Sequence, residues 1–258
     1  MRVIDLSTPV DASVWEPEPV IHKITTAAEG ARHMSSEMRE HFGIEFDPEV
    51  LPHGELLSID TLTLTTHTGT HVDAPSHYGR GASGGEPPNI DQVPLEWFYA
   101  PAVVLDLTSA PPGTAVGAET IGRELDRVGY RPSPLDIVLL HTGASRFSGT
   151  PKYFTEFVGL DRGATKLLLD LGVRVIGTDA FSLDAPFTAM IREYQRTGDR
   201  EVLWPAHFAG REVPYCQIER LANLAALPTA HGFKVSCLPV KIAGAGAGWA
   251  RAVAIVED

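Results

Sequence analysis

The sequence predicts an α/β domain built on a mixed sheet, and three observations predict it. Short apolar runs of strand length recur through the second half of the chain ("AVVLDL", "DIVLL", "VRVIG"). Segments with apolar residues at helical spacing separate them, and a glycine stands where each helical segment stops. Strands and helices packed in layers leave this alternation in a sequence. At 258 residues the chain fits one domain, taken here as residues 1–258.

The first strand is "RVIDL" at residues 2–6. Residues 7–58 carry five prolines and one charged stretch, "SSEMREHFG", that reads as a short helix; the part at about 20–58 is an insertion-like excursion rather than a separate domain. "LTLTT" (62–66) alternates apolar and polar residues, the pattern of a half-buried strand. "AVVLDL" (102–107) is nearly continuous in apolar character, the pattern of a fully buried one. In "ETIGRELDRVG" the residues Ile121, Leu125 and Val128 form a helical stripe ended by Gly129. "DIVLLHTG" is the next strand. "DRGATKLLLDLG" is a helix with Asp161 as N-cap and Gly172 as stop. "VRVIGTD" is again a strand, and "YCQIERLANL" reads as a helix with Ile218, Leu221 and Leu224 on one side. "FKVSCLPVKI" and "WARAVAIVE" close the chain as strands around "AGAGAG". That glycine-rich turn lacks the strand, spacing and helix of a dinucleotide fingerprint.

Composition narrows the function. A net charge of -12 disfavours nucleic acid and anionic membrane surfaces, whose binding needs clustered Lys and Arg. No apolar run approaches the ~18 residues of a membrane span, and "MRVIDLSTPVD" does not read as a signal peptide because Asp5 interrupts a short apolar stretch. Cys216 and Cys237 form no metal or redox spacing and read as buried small hydrophobes, so a cytoplasmic location is expected.

The informative stretch is "THTGTHVDAPSHYG". It places His67, His71, Asp73 and His77 within eleven residues, out of ten histidines in the chain. Gly69 and Pro75 oppose a helix, and the even offsets of His67, His71 and Asp73 suit one face of an extended segment, read as the end of strand 62–66 continuing into a turn. Two imidazoles and a carboxylate on one face suit Zn²⁺ or Mn²⁺. Turn-capping polar residues would be the plain alternative for a lone histidine; four such residues so close together favour metal. An open metal site needs a proton-transfer group nearby, and His77, beyond Pro75, is placed for that task.

"HTGTHVDAPSH" resembles the H-x-G-T-H-x-D-x-P-x-H signature of the metal-dependent cyclase/hydrolase superfamily, which includes bacterial kynurenine formamidases, isatin hydrolases and cyclases of antibiotic biosynthesis. The resemblance runs from "RVIDLSTPV" to "GAGAGWARAVAI". In the formamidases a later His and a Glu twelve positions beyond it complete a two-metal site, and His207 and Glu219 stand at that separation. The resemblance therefore implies that His67, His71 and Asp73 hold one ion and Asp73, His207 and Glu219 a second, with Asp73 and Glu219 bridging. It implies His77 as catalytic acid/base and Trp15 as an aromatic lining of the substrate pocket. It also implies a layered β/β/α domain of the swivelling type and a homodimer or homotetramer. The remaining histidines (His22, His33, His41, His53, His141, His231) read as structural or exposed; His141, in a second "HTG" at a strand end, is left outside the site.

Two reactions suit such a site. The longer chain, the insertion "WEPEPVIHKITTAAEGARHMSSEMREHFGIEF" and the stretches "LLLDLGVRVIGTDAFSLDAPF" and "TGDREVLWPAHF" resemble cyclases found with aromatic polyketide synthases, so ring closure of an aromatic polyketide is the first expectation. Metal-dependent hydrolysis of an amide or lactam, of the kynurenine formamidase or isatin hydrolase type, is the alternative. A non-enzymatic metal or ligand carrier ranks third.

Overall fold

The structure, a computed structural model, describes residues 1–257. In chain order the strands are β1 (Arg2–Asp5), β2 (Ile21–Thr25), β3 (Ile59–Thr63), β4 (His71–Asp73), β5 (Tyr99–Asp106), β6 (Ala115–Val116), β7 (Ile137–His141), β8 (Gly159–Leu160), β9 (Val175–Thr178), β10 (Cys216–Glu219), β11 (His231–Ser236), β12 (Ala247–Trp249) and β13 (Val253–Val256). The α-helices are α1 (Ala27–Phe42), α2 (Ala118–Val128), α3 (Arg162–Asp170), α4 (Phe187–Thr197) and α5 (Pro205–Ala209).

Nine strands form one mixed sheet in the order β1-β13-β11-β5-β7-β9-β10-β4-β12. Its centre, β5 through β10, is parallel, and the strands on either side pair antiparallel. The period of two separates its faces. Ile137 and Leu139 of β7, with Val175 of β9, belong to one core cluster, while Val138, Leu140 and Ile176 belong to another. The second cluster takes in Ile121 and Leu125 of α2 and Ala164 and Leu168 of α3, so the helices cover that face. The first takes in Ile4 of β1 and Val72 of β4, from opposite ends of the sheet order, so the sheet curls over its own apolar face. This is the mixed α/β, layered arrangement that the sequence predicts.

Several element assignments need correction. "YCQIERLANL" is not a helix: Cys216–Glu219 form β10, buried on both faces beside β9, and Arg220 takes a left-handed φ of 64° that ends the strand. The spacing of Ile218, Leu221 and Leu224 mimics a helical stripe, and a short apolar run cannot distinguish the two by period alone. The expected strand at 62–66 is β3, shifted to Ile59–Thr63, and it is exposed throughout rather than half-buried.

The chain divides into two compact units: Met1–Val10, Val14–Glu16 and Thr66–Asp258 form one, Asp11–Ser13 and Pro17–Thr65 the other. The excursion at about 20–58 falls within the second. That unit pairs β2 with β3 and holds α1, which at sixteen residues exceeds the expected short helix. Thr26 and Glu29 form a reciprocal capping box at the start of α1, and Gly43 at φ 66° ends it. Val20, Gly30 and Ala31 are the buried residues of this unit.

Gly177 of β9 shows how closely the sheet is packed. A Cβ there would stand 2.7 Å from Leu139 Cδ2 and 2.9 Å from Leu221 Cδ1. Gly177→Ala should therefore lower the unfolding free energy by ~1–3 kcal/mol, the usual cost of overpacking. Urea denaturation checks this, and an unchanged midpoint would mean that the two leucines can move aside.

Candidate metal centre

β4 carries two of the sequence-predicted ligands, and its neighbours set their surroundings. It lies antiparallel between β10 and β12, with His71 opposite Glu219 and Asp73 opposite Gln217. His67 is not on the same strand. It precedes a tight turn in which Gly69 takes φ 66°, and Val10 Cγ2 lies 3.0 Å from where a Cβ would be. The chain turns here, as the sequence predicts, and the convergence of His67 with β4 comes from that turn rather than from one shared extended face. Thr70, buried in that turn, donates its hydroxyl to the Arg220 carbonyl at 2.6 Å and fixes the turn against the end of β10.

Three ligand atoms meet closely. His67 Nδ1 lies 3.2 Å from His71 Nε2 and 3.0 Å from Asp73 Oδ1, and His71 Nε2 lies 3.3 Å from Asp73 Oδ1. Atoms bound to one tetrahedral ion at ~2.0–2.1 Å stand roughly 3.3 Å apart, so these spacings fit one ion. Glu219 Oε2 is 3.7 Å from His71 Nε2. Among the described residues, two groups of possible ligand atoms lie within 4.8 Å of one another: His67, Asp73 and His77, and His71, Asp73 and Glu219. His207 joins neither group. Its ring stands 5.5 Å from that of His77 and 5.3 Å from that of Tyr78. The structure therefore brings together His67, His71, Asp73, His77 and Glu219, and sets His207 beside them.

The Asp73 carboxylate is the strongest sign that an ion belongs here. It is fully buried, and neither oxygen has a hydrogen-bond partner. The His67 and His71 nitrogens face Oδ1 as ion-pair contacts. An ionised carboxylate left in that state is costly, and two nitrogen donors with two carboxylates make a set that suits a divalent ion.

The other atoms of the set are tied off. His71 Nδ1–H donates to the Gly69 carbonyl at 2.9 Å, which leaves Nε2 as the free lone pair. Glu219 Oε1 accepts from the Leu183 amide at 2.9 Å, which leaves Oε2 facing His71. His207 Nδ1 is bonded to Asp184, whose buried carboxylate also accepts from the amides of Ala206 at 2.6 Å and His207 at 3.2 Å. Asp184 is a residue that the sequence reading missed. It sits in "SLDAP" with no spacing signal, twenty-three positions before its histidine.

The electrostatics follow from this packing. Burial works to raise the Asp73 pKa, but the adjacent His71 and His67 hold it well below the ordinary carboxylate range. Burial and the nearby Asp73 push Glu219 up. Burial opposes charge on His207, and Asp184 overrides it, so that His207 is pushed up to about 9. His77 keeps an exposed edge but is crowded by other rings; loss of hydration, with repulsion from His67 and His207, pushes it down to about 4 against the pull of Asp73.

Trp15 is exposed, and its amide donates to the Gly149 carbonyl at 3.3 Å. Its neighbour Glu16 pairs with buried Arg220, whose Nη1 donates to the His67 carbonyl at 3.3 Å. The Arg220 guanidinium lies 5.3 Å from the centre of the Phe181 ring. From Phe181 an arc of rings runs to Phe154 at 4.8 Å and, through Phe187 at 6.3 Å, to Trp204, which is 5.6 Å from Phe187. Phe181, Phe187 and Trp204 also escaped the sequence reading, because scattered aromatics there carry no period.

Residues 4–185 match the model of the cyclase family, described as "Putative cyclase". The chain is 32% identical over 197 residues to the kynurenine formamidase of Salinibacter ruber, covering 76% of this chain and 79% of that one. It is 29% identical over 204 residues to the kynurenine formamidase of Maricaulis maris, covering 76% and 80%. Isatin hydrolase A from Labrenzia aggregata, solved with benzyl benzoate, superposes with a TM-score of 0.74 at 23% identity, covering 100% of this chain and 94% of that one.

These findings overturn the expectation of a polyketide cyclase. It rested on chain length, on the excursion and on the likeness of the stretches "LLLDLGVRVIGTDAFSLDAPF" and "TGDREVLWPAHF", whereas the match to formamidases takes in three quarters of the chain.

If an ion completes the centre, it should stabilise the fold. Chelation should lower the thermal midpoint of the wild type and leave that of Asp73→Asn unchanged, as read by differential scanning calorimetry. Equal responses in the two proteins would remove Asp73 from the centre.

Proposed function

The chain belongs to the cyclase family of metal-dependent cyclases and hydrolases, and on that premise we propose that it is a metal-dependent hydrolase of an aromatic amide or lactam, of the arylformamidase or isatin hydrolase type. The observation that carries this reading is the approach of His67 Nδ1, His71 Nε2 and Asp73 Oδ1 to within 3.0–3.3 Å around a buried carboxylate without hydrogen-bond partners. Zn²⁺ is the first choice and Mn²⁺ the second, since the donors are nitrogen and oxygen without thiolate. One ion is assigned to His67, His71 and Asp73. A second would draw on Asp73, Glu219 and His207, the last presented through Nε2 because Asp184 holds Nδ1.

A bound divalent ion supplies polarisation of the scissile carbonyl and activation of water. His77 takes the proton from the attacking water and returns it to the departing amide nitrogen. Its exposed edge and its contact with the His67 ring, 4.3 Å between centroids, support that role. Trp15 and the arc of Phe181, Phe187 and Trp204 supply flat apolar walls for an aromatic ring.

The substrate class is tested by measuring kcat/KM with N-formylkynurenine and with isatin. One of them should approach the ~10⁴ M⁻¹s⁻¹ of ordinary enzymes; no turnover of either by metal-loaded protein would refute the reading. His77→Ala should retain metal and lose ~10²–10⁴-fold in turnover, whereas His71→Ala should lose metal and activity together. Metal content measured beside turnover separates the two, and release of metal by His77→Ala with a high residual rate would reverse the assigned roles.

We also propose a cytoplasmic homo-oligomer. Cys216 and Cys237 are buried free thiols, which suits a reducing compartment, and no helix among the described residues is long and apolar enough to cross a membrane. The second unit exposes Ile21, Ile24, Leu57, Ile59 and Leu62, apolar surface of the kind that self-association covers. Light scattering after size exclusion should give a dimer or tetramer, and a monomer at micromolar concentration would rule this out.

A further inference from the structure

A cavity of about 300 Å³ lies outside the metal centre. Four arginines line it, Arg80, Arg162, Arg200 and Arg211, against two glutamates, Glu201 and Glu212. In a chain with 21 basic and 33 acidic residues, this inverts the overall balance. One of the arginines is neutralised, since Arg162 pairs with Glu212. Among the described residues no carboxylate is paired with Arg80, Arg200 or Arg211.

Arg211 is held in place. Its Nε donates to the Tyr78 carbonyl, and its guanidinium lies 4.1 Å over the Phe208 ring. Gly79, at φ 85°, makes room for it: a Cβ there would be 3.0 Å from Arg211 Nη2. The backbone of Arg211 is fixed as well, by the Ala82 amide at 2.8 Å. Its terminal nitrogens form an oriented fork beside an apolar ring, in a cavity that Arg80 and Arg200 also line. A fixed fork with further cations around it matches the oxygens of a phosphate or carboxylate. The volume is at the small end of ligand pockets, and Phe208 offers a surface for an apolar body.

We propose that this cavity binds a small anionic molecule through a phosphate or carboxylate group. The cavity and the metal centre adjoin in sequence, because Tyr78 follows His77 and Phe208 follows His207.

Calorimetric titration of the metal-loaded protein at constant ionic strength tests the proposal. Inorganic phosphate is the probe in one arm and benzoate in the other, each against the wild type and the Arg80→Ala/Arg200→Ala double variant. Both side chains are exposed, so the variant should fold. Saturable binding of at least one probe is expected, with Kd raised at least about tenfold in the variant. Tighter phosphate assigns a phosphorylated ligand, and tighter benzoate an aromatic carboxylate. Equal affinity in the two proteins, as an anion held by the metal would give, overturns the proposal, and so does the absence of saturable binding of both probes to the wild type.

Discussion

The site is organised around one carboxylate, Asp73, fully buried on β4 between β10 and the edge strand β12, with no hydrogen-bond donor of its own. Burying an unpaired charge is among the costliest features a fold can contain. The surroundings reduce the cost only in part: His67 and His71 face one oxygen, and a second acid, Glu219, adds to the charge. Two carboxylates drawn together with imidazole lone pairs make a concentration of negative potential that a divalent cation cancels. The hydrogen bonds around it point the same way, because each fixes an atom that would otherwise compete. Gly69 takes the far nitrogen of His71, Leu183 takes the far oxygen of Glu219, and Asp184 takes the far nitrogen of His207.

Sheet topology is what makes this arrangement possible. β10 is the last of the parallel strands, and β4 joins it antiparallel, so His71 and Glu219 stand at paired positions although far apart in the chain. Past Glu219 the backbone turns sharply at Arg220, whose carbonyl accepts from Thr8 and Thr70 and whose guanidinium reaches Glu16 and the His67 carbonyl. One buried arginine thus links the N-terminal segment, the turn before β4 and the end of β10.

Local patterns in the sequence carried part of this. His67, His71, Asp73 and His77 are close enough together to be read without any fold, and β7 and β9 announce themselves as apolar runs. The capping signature Thr26-x-x-Glu29 was also there to be read and marks the start of α1. Glu219 was not legible from pattern: on a helix it would face solvent, and only the register of β10 against β4 turns it inward. His207 and Glu219 entered through family resemblance, which carries long-range pairing that spacing cannot. Asp184 had no route in at all, since an aspartate in a proline-bearing loop reads as a turn residue until the fold brings it to His207.

The geometry also bears on the hydrolysis proposed above. Hydrolysis requires that water reach the ion and the proton-transfer group together. Asp73 and His71 are shut away, so the charge that would hold an ion works in a low-dielectric setting. His77 keeps an exposed edge, and the His67 side chain is 35% exposed. A buried charged floor under an open, imidazole-lined mouth admits water on the side where the proton must move. That arrangement suits the hydrolysis proposed above.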